Sequence, residues 1–146
     1  MDKSAITDSI FSIMTAYRLA MRSTLKANEI GLNAMHVKCL TFINKSRQCT
    51  ANDIVNYFGR DKAQVARLIK EMIDNQWLTK SANPDDKRSQ ILSLTKEGIA
   101  LAELISSTQN EVHQHMQQHL SAVEIAAFVS TAEVILANLQ TYKAAN

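Results

Sequence analysis

The chain has 146 residues, of which 46% are apolar and 21% are charged, and this length predicts a single domain. One proline and three glycines in the whole chain argue against an all-β fold and favour long helices. Two cysteines, Cys39 and Cys49, are too few for a disulfide framework, which predicts a reducing, cytoplasmic location. No unbroken apolar run reaches the length of about 18 residues that a membrane-spanning helix needs, so we expect no membrane contact.

The net charge of +2 conceals an uneven distribution along the chain. Residues 1–88 contain 14 Lys and Arg against nine Asp and Glu, whereas residues 89–146 contain two against five. A basic first part and an acidic second part suit a protein that contacts a polyanion with one region only.

Apolar residues recur at helical spacing in six segments, and two short apolar runs flank one polar turn. The predicted helices cover residues 5–28, 34–45, 51–57, 62–75, 96–120 and 122–142, and the predicted strands cover residues 77–79 and 91–94. Side chains that can cap a helix N-terminus precede five of these helices: Asn33, Thr50 with Asp53, Asp61, Thr95, and Ser121 with Glu124. The fold class predicted is mainly α with a small β-hairpin.

Residues 59–98 combine a helix, a strand, a basic turn, a returning strand and the start of another helix. A helix can enter a DNA major groove while a basic hairpin reaches the neighbouring minor groove, so this order predicts a winged helix-turn-helix. The hairpin tip carries Lys87 and Arg88, and an exposed Arg on a narrow ribbon suits the negative potential of a minor groove. Asp86, two residues before Arg88, is expected to hold the shape of the hairpin.

The predicted helix over residues 62–75, which we call the recognition helix, has polar side chains on the face opposite its apolar stripe. Lys62, Gln64 and Arg67 are expected to face the bases, because Arg pairs with guanine and Gln pairs with adenine. Lys70 and Arg60 are better placed to bind phosphates, which fix the register on DNA without reading its sequence. A solvated helix face is the alternative interpretation for each of these residues.

The wing and the helix after it carry a motif that resembles the Asp-x-Arg-Ser/Ala and Leu-Thr-x-x-Gly signature of MarR-type transcriptional regulators: Asp86-Lys87-Arg88-Ser89, then Leu92, Leu94-Thr95 and Gly98. The similarity extends upstream over 32–43 and 51–78, and the order of elements matches over essentially the whole chain. The resemblance implies one domain over 1–146. Within it, a DNA-binding lobe covers 32–95, and dimerisation helices cover 1–28 and 96–146.

The resemblance also implies a homodimer that binds a pseudo-palindromic operator in double-stranded DNA, usually as a repressor. Members of the family often release the operator when a small molecule binds between the dimerisation helices and the DNA-binding lobe. An aromatic or phenolic effector would suit the side chains available for such a pocket, although plain core packing is the alternative for each one: Tyr17, Met21, Met35, His36 and Phe42.

One position departs from the family pattern. The family usually has Gly just after the recognition helix, where this chain has Gln76. A left-handed backbone at a residue other than glycine costs roughly 1 kcal/mol. Either Gln76 or Asn75 is therefore expected to take that conformation.

Other classes of function are less well supported by the sequence. A winged helix can serve as a protein-interaction module, which need not bind duplex DNA in a salt-dependent way. His115 and His119 are four residues apart on the predicted fifth helix, a spacing that suits a metal-sensing variant, but two ligands do not make a site. His36 and Cys39 are the best nucleophile pair, yet no phosphate loop or Gly-x-Ser-x-Gly turn accompanies them. We expect neither catalysis nor a bound cofactor.

Overall fold

The computed structural model of the chain describes residues 2–26 and 30–144. These residues fall into two compact units, one that runs to Val112 and one that starts at His113. The helices are α1 (Ala5–Leu25), α2 (Ala34–Lys45), α3 (Ala51–Phe58), α4 (Lys62–Asp74), α5 (Lys96–Met116) and α6 (Ala122–Thr141), and the strands are β1 (Cys49–Thr50), β2 (Leu78–Ala82) and β3 (Gln90–Leu94).

The five predicted helix caps are all confirmed. In each case a side-chain oxygen accepts a hydrogen bond from the backbone N–H three residues later, which satisfies a donor that the helix itself leaves unpaired. These pairs are Asn33 with His36, Thr50 with Asp53, Asp61 with Gln64, Thr95 with Gly98, and Ser121 with Glu124.

The sheet of the first unit has three antiparallel strands in the order β1-β3-β2. β2 and β3 form the predicted hairpin, with Leu78 opposite Leu94 at its base and Ala82 opposite Gln90 near its tip. β1 pairs with the other edge of β3 through two residues only. It was not predicted, because two residues carry no alternating pattern and their extended conformation depends on pairing with a distant strand.

The core of the first unit lies between α2, α3, α4, α5 and the sheet. The stripe predicted on α4 packs into it, with Val65, Ile69 and Met72 buried. Ile54 of α3 is fully buried. Each such side chain contributes about 1.5–3 kcal/mol to stability by its burial. The core therefore fixes one face of α4 and leaves the opposite face of that helix in solvent.

Three predicted elements end more than one residue away from their observed ends. α1 ends at Leu25, where Lys26 takes a left-handed conformation with φ 50° and its N–H bonds back to the helix, and the predicted end at residue 28 lies outside the described residues. α5 ends at Met116 rather than near residue 120. Trp77 precedes β2, and the strand continues to Ala82 because backbone pairing with β3 extends past the apolar residues that marked it in the sequence.

The second unit contains the end of α5 and the whole of α6. No residue of α6 is buried within the described chain, although its composition is largely apolar. An 18-residue window of α6 has a mean hydropathy of 1.6, so its length and composition alone would allow a membrane span, and a single helix of this kind is weak evidence for one. Its large exposed apolar side chains include Phe128, Val129, Val134, Leu136 and Leu139.

The N-terminal half of α1 shows the same property within the first unit. Ile6, Ile10, Phe11 and Ile13 are all exposed, and burial on this helix begins at Met21 and Leu25. Both α1 and α6 therefore carry large apolar side chains that the described residues of one protomer leave exposed.

Candidate nucleic-acid interface

The turn between α3 and α4 sets the direction in which α4 leaves the core. Gly59 takes a left-handed conformation with φ 61°, which closes α3, and its N–H bonds to the carbonyl of Val55. Asp61 then caps α4 through a 2.9 Å bond from the N–H of Gln64 to its carboxylate. Gly59 therefore supplies a positive φ at a point where a side chain would add strain.

The outer face of α4 is polar and solvent-exposed. Lys62, Gln64, Arg67 and Lys70 are all exposed, as is Arg60 in the turn before the helix. These are the five positions on which the sequence analysis placed base and phosphate contacts. The structure leaves all five accessible, with Arg60, Gln64 and Arg67 lining one groove beside α4 and Lys62 lining another, and their roles in binding remain predictions.

A first groove runs along one side of α4, with a volume of about 280 Å³. We call it the α4 groove, and its lining consists of Asn33, Met35, Phe58, Arg60, Gln64, Val65, Arg67, Leu68 and Glu71. The Arg60 guanidinium lies 3.9 Å from the sulfur of Met35, a weak contact that holds the arginine against the start of α2. Two arginines and one carboxylate give this groove a mixed character.

A second groove of about 360 Å³ separates α4 from the wing. We call it the wing groove, and its lining consists of Ala51, Asn52, Val55, Lys62, Val65, Ala66, Ile69, Lys80, Arg88, Ser89, Gln90 and Leu92. It brings together Lys62 from the helix, Lys80 from β2 and Arg88 from the wing tip. The residues that line it include no Asp or Glu, so its charge suits a polyanion.

The wing groove contains polar residues that the sequence did not predict to lie there. Lys80 was not selected because the strand was predicted to end at residue 79, which left this lysine without a position. Asn52 and Gln90 were passed over because nothing local links the start of α3 to the start of β3. The alternation of apolar and polar residues along the chain does not reveal the wing groove, because the groove forms only where elements distant in sequence meet.

Internal hydrogen bonds order the wing tip. The Asp86 carboxylate accepts a 2.9 Å bond from the backbone N–H of Arg88. Asn83 accepts from the N–H of Asp85 at 3.0 Å and donates to the hydroxyl of Ser89 at 2.9 Å. Asp86 therefore contacts the main chain of Arg88, a geometry that supports the structural role predicted for it.

The base of the wing contains the position that departs from the family pattern. Gln76 has φ 65°, whereas Asn75 has φ −78°, so Gln76 takes the left-handed conformation. The Thr95 hydroxyl donates to the Gln76 carbonyl at 2.6 Å and accepts from the N–H of Gly98 at 2.9 Å. A side chain on Gly98 would collide with the carbonyl of Trp77. These contacts join the end of α4, the start of β2 and the start of α5.

The structure distributes the proposed effector residues over several environments. Met21 and His36 are buried, and Tyr17 packs against the core while remaining partly exposed. Phe42 stacks against Tyr57 at 4.4 Å between ring centroids. Met35 is the member of the set that lines the α4 groove. The effector pocket therefore remains a prediction.

The geometry assumed for the metal-sensing alternative is wrong. His115 lies in α5, but His119 lies beyond the end of that helix and has φ 65°, so the two residues do not share a helical face. Within residues 2–26 and 30–144, no three His, Cys, Asp or Glu side chains form a group that could hold a metal ion.

The two cysteines are free and buried. Burial raises the pKa of Cys39 to about 12, with a further contribution from Cys49. Burial also raises the pKa of Cys49 to about 11, and the nearby Asp53 adds to this shift. Because the thiolate is the reactive form, neither cysteine is prepared to act as a nucleophile at neutral pH.

Comparison with known proteins shows which proteins this chain resembles. A model of the MarR family matches residues 32–90. The regulator BilQ of Clostridioides difficile (strain CD3) is 29% identical over 66% of this chain and 65% of its own length, so the match spans just under two thirds of that relative. The multiple antibiotic resistance protein MarR of Salmonella typhimurium is 24% identical over 73% of this chain and 75% of its own length.

Solved structures show the same fold. A mutant MarR from E. coli in complex with operator DNA aligns with a TM-score of 0.76 at 20% identity, over 93% of this chain and 99% of the other. BpsR of Bordetella bronchiseptica aligns with a TM-score of 0.74 at 20% identity, over 98% of this chain and 99% of the other. The predicted fold is confirmed: the chain has the winged helix-turn-helix fold of these structures, and over residues 32–90 its sequence is similar to that of MarR family members.

Proposed function

We propose that the chain is a cytoplasmic homodimeric repressor, which binds a pseudo-palindromic operator through α4 and the wing and releases it when a small molecule binds. The convergence of Lys62, Lys80 and Arg88 on one groove without carboxylates carries the proposal. Packing of the apolar core does not explain why three positively charged side chains line the same groove. Their mutual repulsion is relieved when a polyanion occupies the groove.

Base reading is assigned to the exposed face of α4. Arg67 can form paired hydrogen bonds with O6 and N7 of a guanine, and Gln64 can form the equivalent pair with an adenine. Lys62 stands at the first position of the helix, beside the wing groove. Lys70 and Arg60 neutralise phosphates on either side. Val65, Ile69 and Met72 pack in the core and so fix the orientation of α4 while its exposed face lies in the DNA major groove.

The wing is assigned to the adjacent minor groove. Arg88 lies at an exposed tip and next to Lys87, and a narrow minor groove attracts inserted arginines. The bond from Arg88 N–H to Asp86 keeps the tip in one conformation. Less conformational entropy is then lost when the tip binds.

Dimerisation is supported separately by the two ends of the chain. Phe128, Leu136 and Leu139 on α6, and Phe11 on α1, are all more than half exposed. Apolar surface of this extent usually packs against a partner. A symmetric dimer presents two recognition helices, which read half-sites about 34 Å apart, one turn of DNA. Burial between two protomers also accounts for the apolar composition of α6 without a membrane.

Release by a small molecule has a support of its own. Its support is a structural relative, BpsR, whose DNA binding is regulated by 6-hydroxynicotinic acid. A hydroxylated aromatic compound agrees with the aromatic or phenolic effector expected from Tyr17, Met35 and Phe42. The candidate pocket includes Met21 and His36 as well.

One experiment tests the function as a whole. Duplexes bound by the protein are selected from a random pool, and the enriched sequences are examined for two-fold symmetry. Sedimentation at micromolar concentration gives the mass of the free protein and of the complex, and phenolic compounds are then screened for release. A symmetric site bound by two protomers is expected. Failure to enrich any sequence, with no salt-dependent duplex binding, would indicate a protein-interaction module instead.

A further inference from the structure

His36 is buried in the first turn of α2, with both ring nitrogens engaged. Its Nδ1 lies 3.1 Å from the backbone nitrogen of Asn33, and its Nε2 lies 3.1 Å from a carboxylate oxygen of Glu71 on α4. The His36 backbone N–H donates in return to the Asn33 side chain at 2.9 Å. His36 thus completes a reciprocal capping box, a position usually filled by Glu or Gln, and it also reaches the recognition helix.

The partners of the ring determine where its proton lies. A backbone N–H can only donate, so Nδ1 must accept from Asn33 and carries no proton. Nε2 then holds the proton of the neutral ring and donates it to the carboxylate of Glu71. A glutamate at position 36 would complete the capping box but would have no proton to donate to Glu71.

This ring joins α2, α4 and the residue before β2, which lie next to the surface proposed to bind DNA. His36 belongs to α2, Glu71 belongs to α4, and the ring packs edge-on against Trp77 at 5.2 Å between centroids. The Trp77 carbonyl accepts a 2.9 Å bond from the N–H of Thr95 at the base of the wing. We infer that His36 is a positioning residue, which sets the placement of the recognition helix through its bond to Glu71. This inference rests on the proposed function.

Glu71 transmits this placement to the residues that read bases. It lies one helical turn after Arg67 and lines the α4 groove with Arg67 and Gln64. Its side chain is 58% exposed, whereas that of His36 is 5% exposed, so removal of the Glu71 carboxylate opens no cavity in the core. Charge alone predicts that loss of a carboxylate from this face strengthens DNA binding. If Glu71 positions α4, loss of its carboxylate should instead weaken the protein's discrimination between DNA sequences.

The experiment compares Glu71→Ala with Glu71→Gln, because glutamine loses the charge but keeps an oxygen that accepts from His36. Asp74→Ala is the matched control, since it removes one exposed carboxylate from the end of the same helix. The readout is the ratio of affinities for the selected operator and for a scrambled duplex of equal length. We expect Glu71→Ala to lower this ratio about five- to tenfold. Glu71→Gln and Asp74→Ala should each keep it within about twofold.

Two results would overturn the inference while the wild-type protein still discriminates between the duplexes. One is an equal loss in Glu71→Ala and Glu71→Gln, which would assign the effect to charge. The other is a wild-type ¹⁵N spectrum that places the His36 proton on Nδ1. A wild-type protein with no sequence preference would instead overturn the proposed function, and this inference with it.

Discussion

The carboxylate of Asp86 accepts a hydrogen bond of 2.9 Å from the backbone N–H of Arg88 at the tip of the wing. The bond closes a short turn between them and so fixes the direction in which the Arg88 side chain leaves the main chain. A negative charge at a surface assigned to DNA is costly by Coulomb's law. The Asp86 carboxylate is still expected at this surface if the ordered tip contributes more to the free energy of DNA binding than the repulsion between Asp86 and DNA costs.

Asp86→Ala should therefore weaken operator binding, although it removes a charge that DNA repels. Arg88→Ala should weaken it as well, by about 1–2 kcal/mol, with the fold and the dimer intact because the tip is exposed. The double variant measures the coupling between the two residues. If Asp86 acts through Arg88, the second substitution adds little to the loss caused by the first. Additive losses, or tighter binding by Asp86→Ala alone, would remove the structural role from Asp86.

Arg67 and Lys70 lie on the same face of α4 but are assigned different tasks. Arg67→Ala should cost about 1–3 kcal/mol on the best operator and relax the preference at one base pair per half-site. Lys70→Ala should weaken all duplexes to a similar extent and reduce the salt slope, since it contacts phosphate. Selections repeated with each variant distinguish the two effects. An unchanged base preference for Arg67→Ala would show that the reading face of α4 is assigned wrongly.

Lys80 is expected to behave as a phosphate ligand, because it lines the wing groove with Lys62 and Arg88. Lys80→Ala should reduce the slope of log K against log salt by about 0.9 for each protomer bound. Lys45→Ala is the matched control, since Lys45 is exposed at the end of α2 and lines neither groove. Fluorescence anisotropy over a salt series measures both slopes. Equal slopes for the two variants would contradict the assignment.

Gln76→Gly should stabilise the protein by about 0.5–1 kcal/mol. The relief of left-handed strain, about 1–2 kcal/mol, exceeds the entropic cost of a glycine, about 0.5–1 kcal/mol. The hydrogen bond from Thr95 survives because it ends on the Gln76 backbone carbonyl. Asn75→Gly, at φ −78°, should destabilise by a similar amount. Urea unfolding at one fixed protein concentration measures both, and a loss of stability in Gln76→Gly would refute the strain.

The sequence predicted those parts of the fold and the interface that have local causes. Thr50 and Asp61 cap their helices through hydrogen bonds to residues only three positions later. The exposed face of α4 follows from helical periodicity alone. The existence of β1, which has only two residues, and the inclusion of Lys80 in β2 both depend on pairing with β3. Strand pairing of this kind has no local signature in the sequence. The bond between His36 and Glu71 joins residues 35 positions apart. The choice of Gln76 over Asn75 depends on contacts with Thr95, which a local pattern does not contain.

Sequence-specific DNA binding is the central claim, and the ratio of two affinities tests it most directly. The wild-type protein is titrated with its selected operator and with a scrambled duplex of equal length, at several salt concentrations. We predict a preference of at least about 10³-fold for the operator, and for both duplexes log K should fall linearly with log salt. Equal affinity for the two duplexes at every salt concentration would contradict it.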